Sequence, residues 1–211
     1  KSDKVQFSDK KIRSVFKSFE GKIVQLPPVF SALKHNGVPL YKLARRGKPV
    51  QKPSRSVFIS YIDILDIKLP FVRFEVLCSS GTYVRTLCSN IGTSLGCGGH
   101  LRELRRTESS RFSIKDAITI AEVEKLAKYG KLSQRMISMA DALKDMNSFI
   151  ANDELTRKIS HGNIITPKDI STDLGENQNW DQEGRFKVLN MEKKLIAILS
   201  FDSRKKSFKY N

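Results

Sequence analysis

Cysteine is scarce in these 211 residues: Cys78, Cys88 and Cys97 are odd in number and show no C-x-x-C spacing. That argues against a disulfide framework and fits small buried thiols in a reducing compartment, here cytoplasmic. Histidine is equally sparse, and His35, His100 and His161 belong to no ligand motif, so no metal site is expected. No apolar run approaches the ~20 residues of a membrane span. The opening Lys1-Ser-Asp-Lys4 has neither the hydrophobic core of a signal peptide nor a methionine, which reads as a piece of something longer.

Acidic residues are also few. Against 38 Lys and Arg stand 22 Asp and Glu, a net charge of +16. Residues 1–120 carry 22 basic and 9 acidic side chains (+13), and residues 121–211 carry 16 and 13 (+3). So uneven an excess is the footprint of a polyanion partner, and nucleic acid fits it best. A membrane surface would call for a basic amphipathic helix, which the chain does not offer.

The densest information lies in Cys78–Thr107. Phe71–Cys78 alternates apolar and polar residues and reads as a strand; Val57–Ile67, rich in β-branched residues, reads as its predecessor. Ser79–Thr82 makes a turn, with Thr82 as the expected N-cap. Val84, Leu87, Cys88, Ile91 and Leu95 then form one helical stripe. Arg85 falls in the first turn of that helix, where the dipole disfavours a cation by ~0.3–1 kcal/mol. It is either a surface arginine or a guanidinium required there by a carboxylate or phosphate. Beyond Gly96-Cys-Gly-Gly99, the spacing of Leu101 and Leu104 predicts one helical turn with Arg102, Arg105 and Arg106 facing outward.

Elsewhere, Ser8 caps a helix through Phe19 that Gly21 ends. The proline-rich stretch from Gln25 to Arg55 is expected to be irregular apart from a short helix around Leu40–Arg46. Its aromatics, Phe30 and Tyr41, are interleaved with Lys34, Lys42, Arg45, Arg46 and Lys48. That mixture suits base stacking and phosphate contact, or a solvated mobile loop. Past residue 145 a short helix from Asn152 or Asp153 is followed by a polar loop through Trp180. A hairpin, Arg185–Asn190 and Leu195–Phe201, comes after it.

These residues resemble the TruB family of tRNA pseudouridine synthases. The resemblance runs through Gln25-Leu-Pro-Pro-Val-Phe-Ser-Ala-Leu-Lys34, Gly37, Leu40-Tyr41, Ala44-Arg45, Gly81-Thr-Tyr-Val-Arg-Thr86, Leu95-Gly-Cys-Gly98, His100-Leu101 and Leu104-Arg-Arg-Thr107. It implies an α+β fold: a mixed, mainly antiparallel sheet with packed helices, plus a small C-terminal PUA-like β-barrel. The implied division is 1–145 for the C-terminal part of a catalytic domain, with a thumb-like segment 25–55, and 146–211 for an RNA-binding module. It further implies a cofactor-free isomerisation of a flipped-out T-loop uridine to pseudouridine, by a monomer whose partner is the tRNA T arm and no membrane.

Carried over by position, Arg85 pairs with the catalytic aspartate, Leu104 lines the active-site floor and Tyr83 packs nearby. Lys34, Tyr41, Arg45, Arg46, Arg105 and Arg106 contact RNA. The family's aspartate lies in G-x-x-D-P-x-A-x-G, a pattern that does not occur in the 211 residues, and its second active-site tyrosine is not found either. The expectation is therefore a C-terminal part that lacks the N-terminal catalytic segment, needs that segment as a partner and is inactive alone. The alternative is a non-catalytic RNA-binding module derived from the family.

Overall fold

The computed structural model describes residues 6–174 and 184–211. The chain divides into two compact units, Lys1–Arg105 and Arg106–Asn211.

In the first unit, α1 (Asp9–Lys17) begins where the Ser8 hydroxyl accepts from the Lys11 N–H, as a Ser-capped amphipathic segment should. Gly21 does not merely stop this helix; it opens β1 (Gly21–Gln25). Strand β4 (Arg55–Lys68) pairs antiparallel with β1 on one side and with β5 (Phe71–Cys78) on the other. Inward residues of β4 fall at Ile59, Ile62, Ile64 and Ile67, a 3-2-3 spacing that strict alternation forbids. Register shifts between Ile59 and Tyr61 and between Ile64 and Asp66 reconcile them by inserting one residue each.

One face of this three-stranded sheet packs on α1 and on α3 (Val84–Leu95). Ile12, Phe16, Ile59, Leu87 and Ile91 are buried there, and Phe16 meets Phe74 edge-on at 5.1 Å. Each such side chain contributes roughly 1.5–3 kcal/mol of burial. Burial also pushes the Cys88 thiol up from its ordinary range, as suits an inert member of the α3 stripe.

Between β1 and β4 the chain makes an excursion that is more ordered than its prolines suggest. Strands β2 (Lys34–His35) and β3 (Val38–Pro39) form a hairpin on Asn36-Gly37, both at positive φ (49° and 78°), as a two-residue hairpin turn demands. Helix α2 (Leu40–Arg45) follows and buries Leu40.

The N-cap of α3 is Tyr83, not Thr82. The Thr82 hydroxyl donates instead to the Ser79 carbonyl and so closes the turn rather than the helix. After α3, the N–H groups of Cys97 and Gly98 both return to the Gly92 carbonyl. Residues 100–107 take no regular structure, so Leu101 and Leu104 do not form a helical turn. The glycine-rich fold-back satisfies the helix end and starts no new one.

In the second unit, a two-stranded pair, β6 (Glu108–Ser109) and β7 (Phe112–Ser113), is followed by α4 (Ile120–Lys128), opened by a Thr119–Glu122 capping box, and by α5 (Met139–Ala142). The remaining elements are β8 (Ser148–Ile150), α6 (Asp153–Ser160), α7 (Pro167–Leu174), β9 (Arg185–Leu189), β10 (Leu195–Asp202) and β11 (Ser207–Tyr210). Asn152 caps α6 and Leu155 and Ile159 are buried from it. The polar stretch expected to be loop through Trp180 instead forms α7 over Pro167–Leu174, and its residues 175–180 lie outside the described residues.

Among the described residues the expected β-barrel is not formed. The sheet runs β11-β10-β9-β8, mainly antiparallel with β8 parallel to β9, and it does not close. Closure would need β11 to pair with β8; instead β11 meets Ile165 through an isolated bridge to Phe208, from the connection between α6 and α7. Phe149, Phe186, Phe208, Ile165, Ile170 and Leu199 fill the core beneath this open sheet. The α+β class with packed helices stands.

Candidate active site and nucleic-acid interface

The first unit gathers its chemistry where β5 turns into α3. Tyr83, the N-cap, has a half-buried ring and a backbone held at both ends by one side chain. Its N–H donates to Gln25 Oε1 at 3.0 Å, and its carbonyl accepts from Gln25 Nε2 at 3.4 Å. Gln25 is fully buried. Buried amides need such partners, because an unpaired one costs about 1–3 kcal/mol. The Arg55 guanidinium lies 5.0 Å from the centre of the Tyr83 ring and donates to the Gly81 carbonyl.

Arg85, in the first turn of α3, is exposed, and its Nη2 donates to the Phe30 carbonyl at 2.6 Å. Among the described residues no carboxylate pairs with it. One donor is thus engaged by the excursion, and the rest of the guanidinium fork remains available for an anion.

The excursion itself holds no Asp or Glu between Gln25 and Arg55, but seven cations: Lys34, Lys42, Arg45, Arg46, Lys48, Lys52 and Arg55. Lys34 is exposed on β2. Arg45 lies over the Tyr41 ring at 5.6 Å on α2, and Arg46 caps that helix. The Tyr41 N–H donates to the Ser31 carbonyl, and Gln51 Nε2 donates to the Pro27 carbonyl, so the segment is internally tied. Basic side chains, a base-sized aromatic and an absence of acid are the composition that surfaces for single-stranded nucleic acid share.

The remaining expected residues are more dispersed. Leu104 is 64% exposed and Arg105 exposed in the irregular stretch after α3. Arg102 in the same stretch sits over the Phe71 ring at 4.5 Å, so it does not simply face outward. Arg106 opens the second unit, its Nη1 3.5 Å from Ser109 Oγ. Gln25 and Arg55 were not expected at the site. Both stand at the ends of the segment whose composition attracts notice, but only strand register reveals that they face each other. Among the described residues no group of His, Cys, Asp or Glu could hold a metal, and no helix is long and apolar enough to cross a membrane.

Residues 1–84 match the TruB family pseudouridylate synthase N-terminal domain, and residues 85–151 match the tRNA pseudouridylate synthase B C-terminal domain. A tRNA pseudouridine synthase B of Geobacter sulfurreducens is 41% identical over 164 residues, covering 78% of this chain and 54% of the relative. One of Clostridium acetobutylicum is 32% identical over 198 residues, covering 94% and 65%. Among solved structures, a Cbf5–Nop10–Gar1 complex aligns over 98% of this chain and 62% of that one, with a TM-score of 0.69 at 22% identity, a likeness of fold.

The two domain matches place the chain, in sequence, among the pseudouridine synthase families. Within that class the chain belongs to the TruB family. It spans about half the length of the first of these relatives.

The domain match corrects one expectation and those built on it. Residues 1–84 belong to the family's N-terminal domain, so the chain is not a C-terminal part from which that domain is missing. The inference of an inactive chain waiting for an N-terminal partner falls with it. Its basis was the absence of a nine-residue pattern and of a second active-site tyrosine, whereas the domain match spans residues 1–84, which include β1, β4, β5 and the excursion.

Proposed function

We propose that this protein acts as a tRNA pseudouridine synthase on a uridine of the T arm, without a cofactor, in the cytoplasm. The reaction is an isomerisation. The C1′–N1 bond of the uridine breaks, the uracil turns, C5 bonds to C1′, C5 loses its proton and N1 gains one. A stacked T-loop base is out of reach of any side chain, so it has to be flipped out at a cost of a few kcal/mol. The excursion from Gln25 to Arg55 supplies the compensation: Lys34, Arg45 and Arg46 for phosphates, Tyr41 for stacking. Arg105 in the first unit, and Arg106 with residues 146–211 in the second, add RNA contacts of their own.

Arg85 is the residue on which the chemistry turns. It would hold the family's catalytic carboxylate ionised and oriented by a charge-assisted pair, beside the Tyr83 ring, with Leu104 as an apolar neighbour. No residue of the 211 is assigned that carboxylate. The observation that carries the reading is the placing of Arg85 at the start of α3, bonded to the acid-free basic excursion through Phe30.

The test is pseudouridine formation on a T-arm RNA hairpin. Product is expected from the protein expressed from its whole reading frame, which has to supply the carboxylate, with Arg85→Lys lowering the rate by at least about a hundredfold because a bidentate fork is lost. RNA binding without product would favour a binding module instead.

A further inference from the structure

The base of the excursion does more than join it to the sheet. Gln25, the last residue of β1, and Arg55, the first of β4, are directly opposite each other in the β1–β4 register. From those facing positions both side chains reach the same three-residue turn. Gln25 grips the Tyr83 backbone at both its N–H and its carbonyl. Arg55 donates to the Gly81 carbonyl, stacks on the Tyr83 ring and has its Nε buried without a partner.

The pairing is specific in its chemistry. A carboxamide is the side chain that offers a donor and an acceptor in one plane, which is what a peptide N–H and carbonyl require. Burying Gln25 completely for this purpose forfeits its hydration, and Arg55 leaves one N–H orphaned to keep its place. Neither residue touches the exposed side of Arg85. Both are bonded to the backbone of the turn, Arg55 at Gly81 and Gln25 at Tyr83, and Arg85 follows two residues later in α3.

We propose that Gln25 and Arg55 are positioning residues that fix the aim of Arg85 through the Gly81–Tyr83 turn. This rests on the proposed isomerase reading for its activity readout. A misaimed catalytic group loses rate out of proportion to binding, because the cost falls on the transition state.

The experiment takes the protein with Gln25→Leu, Gln25→Glu, Arg55→Met and Arg55→Lys. It measures kcat and KM on a T-arm RNA and, by NMR, the Tyr83 amide exchange and the Arg85 Nε–H resonance. Gln25→Leu and Arg55→Met are expected to lower kcat at least about tenfold with KM within about threefold, while Arg55→Lys, which keeps a donor for Gly81, recovers part of the loss. Gln25→Leu should also expose the Tyr83 amide to exchange and shift the Arg85 resonance. If Gln25→Leu fails to fold, Gln25→Glu, which keeps the acceptor for the Tyr83 N–H and sets its other oxygen against the carbonyl, carries the same expectation. An unchanged kcat with lowered thermal stability, or a loss residing in KM alone, overturns the proposal. If the wild type forms no pseudouridine, the isomerase reading fails and the NMR arm decides positioning: a shifted Arg85 resonance upholds it and an unmoved one overturns it.

Discussion

Gly92 and Gly99 are in direct backbone contact: a Cβ on Gly92 would lie 2.2 Å from the Gly99 nitrogen, and one on Gly99 would lie 2.7 Å from the Cys88 carbonyl. The chain leaving α3 thus lies flat on the helix it has just left, and the basic run that follows starts from a fixed point.

Gly92→Ala is therefore expected to destabilise the protein by about 1–3 kcal/mol, since backbone rather than a mobile side chain must move. Gly96→Ala meets open space and bears the left-handed φ of 86°, a cost of about 1–2 kcal/mol. Urea unfolding midpoints of the two variants check the contrast: Gly92→Ala should also disturb the His100–Arg106 backbone resonances, and Gly96→Ala should leave them in place.

In the second unit, Lys187 is 7% exposed, and its Nζ donates to the Ala140 and Leu143 carbonyls at 2.7 and 3.0 Å, closing the end of α5 with a cation. Lys187→Met keeps the apolar stem and removes both bonds. A loss of about 1–3 kcal/mol is expected, because two helix-end carbonyls lose a charged donor. Chemical denaturation of this variant against Lys193→Met, an exposed control, measures it.

Acid sensitivity should trace in part to Glu20. A hydrogen bond from Lys17 at 2.5 Å, then one from the Ile62 N–H, hold its carboxyl below the ordinary glutamate range, and burial opposes them. A depressed carboxyl stabilises the fold fully above its unfolded value, about 4.3, and loses that contribution as pH falls through the lower folded value. The stability difference between wild type and Glu20→Gln should be widest near neutrality and close as the solution is acidified below that value. Thermal unfolding across that range is the measurement.

For the RNA surface, Lys34→Ala and Arg45→Ala should each weaken T-arm binding and reduce the salt slope of log K against log[salt] by about 1, as loss of one phosphate contact does. Fluorescence titrations at several salt concentrations give both quantities. Binding that falls without a change of slope would place these residues off the phosphates.

Much of this fold could be read from its residues, because the signals were local. The α3 stripe of Leu87 and Ile91, the alternation in β5, the Asn152 cap and the hairpin of β9 and β10 follow from periodicity and turn chemistry that no distant contact overrides. Asn36-Gly37 carried a hairpin signal that the surrounding prolines masked. Gly21 was legible as a break but not as the start of β1, since a short edge strand declares itself only through its partner. Leu101 and Leu104 mimicked a helical turn at a spacing of three, and the glycine contact described above decides otherwise.

The site divided along the same line. Tyr83 and Arg85 stood out in sequence because they sit in one motif. The Gln25–Arg55 pair is separated by 29 residues and becomes visible only when β1 and β4 are in register.

That register has a consequence for how such a protein could change its substrate. The excursion leaves the sheet and returns at facing positions, whose Cα atoms in an antiparallel ladder stand roughly 4.5–5.5 Å apart. Doubling the length of a loop between fixed ends costs only about 0.6 kcal/mol in closure entropy. The span between Leu26 and Ser54 can thus change length at little cost in closure, while the Phe30 carbonyl held by Arg85 and the buried Leu40 are the points within it that such a change has to keep.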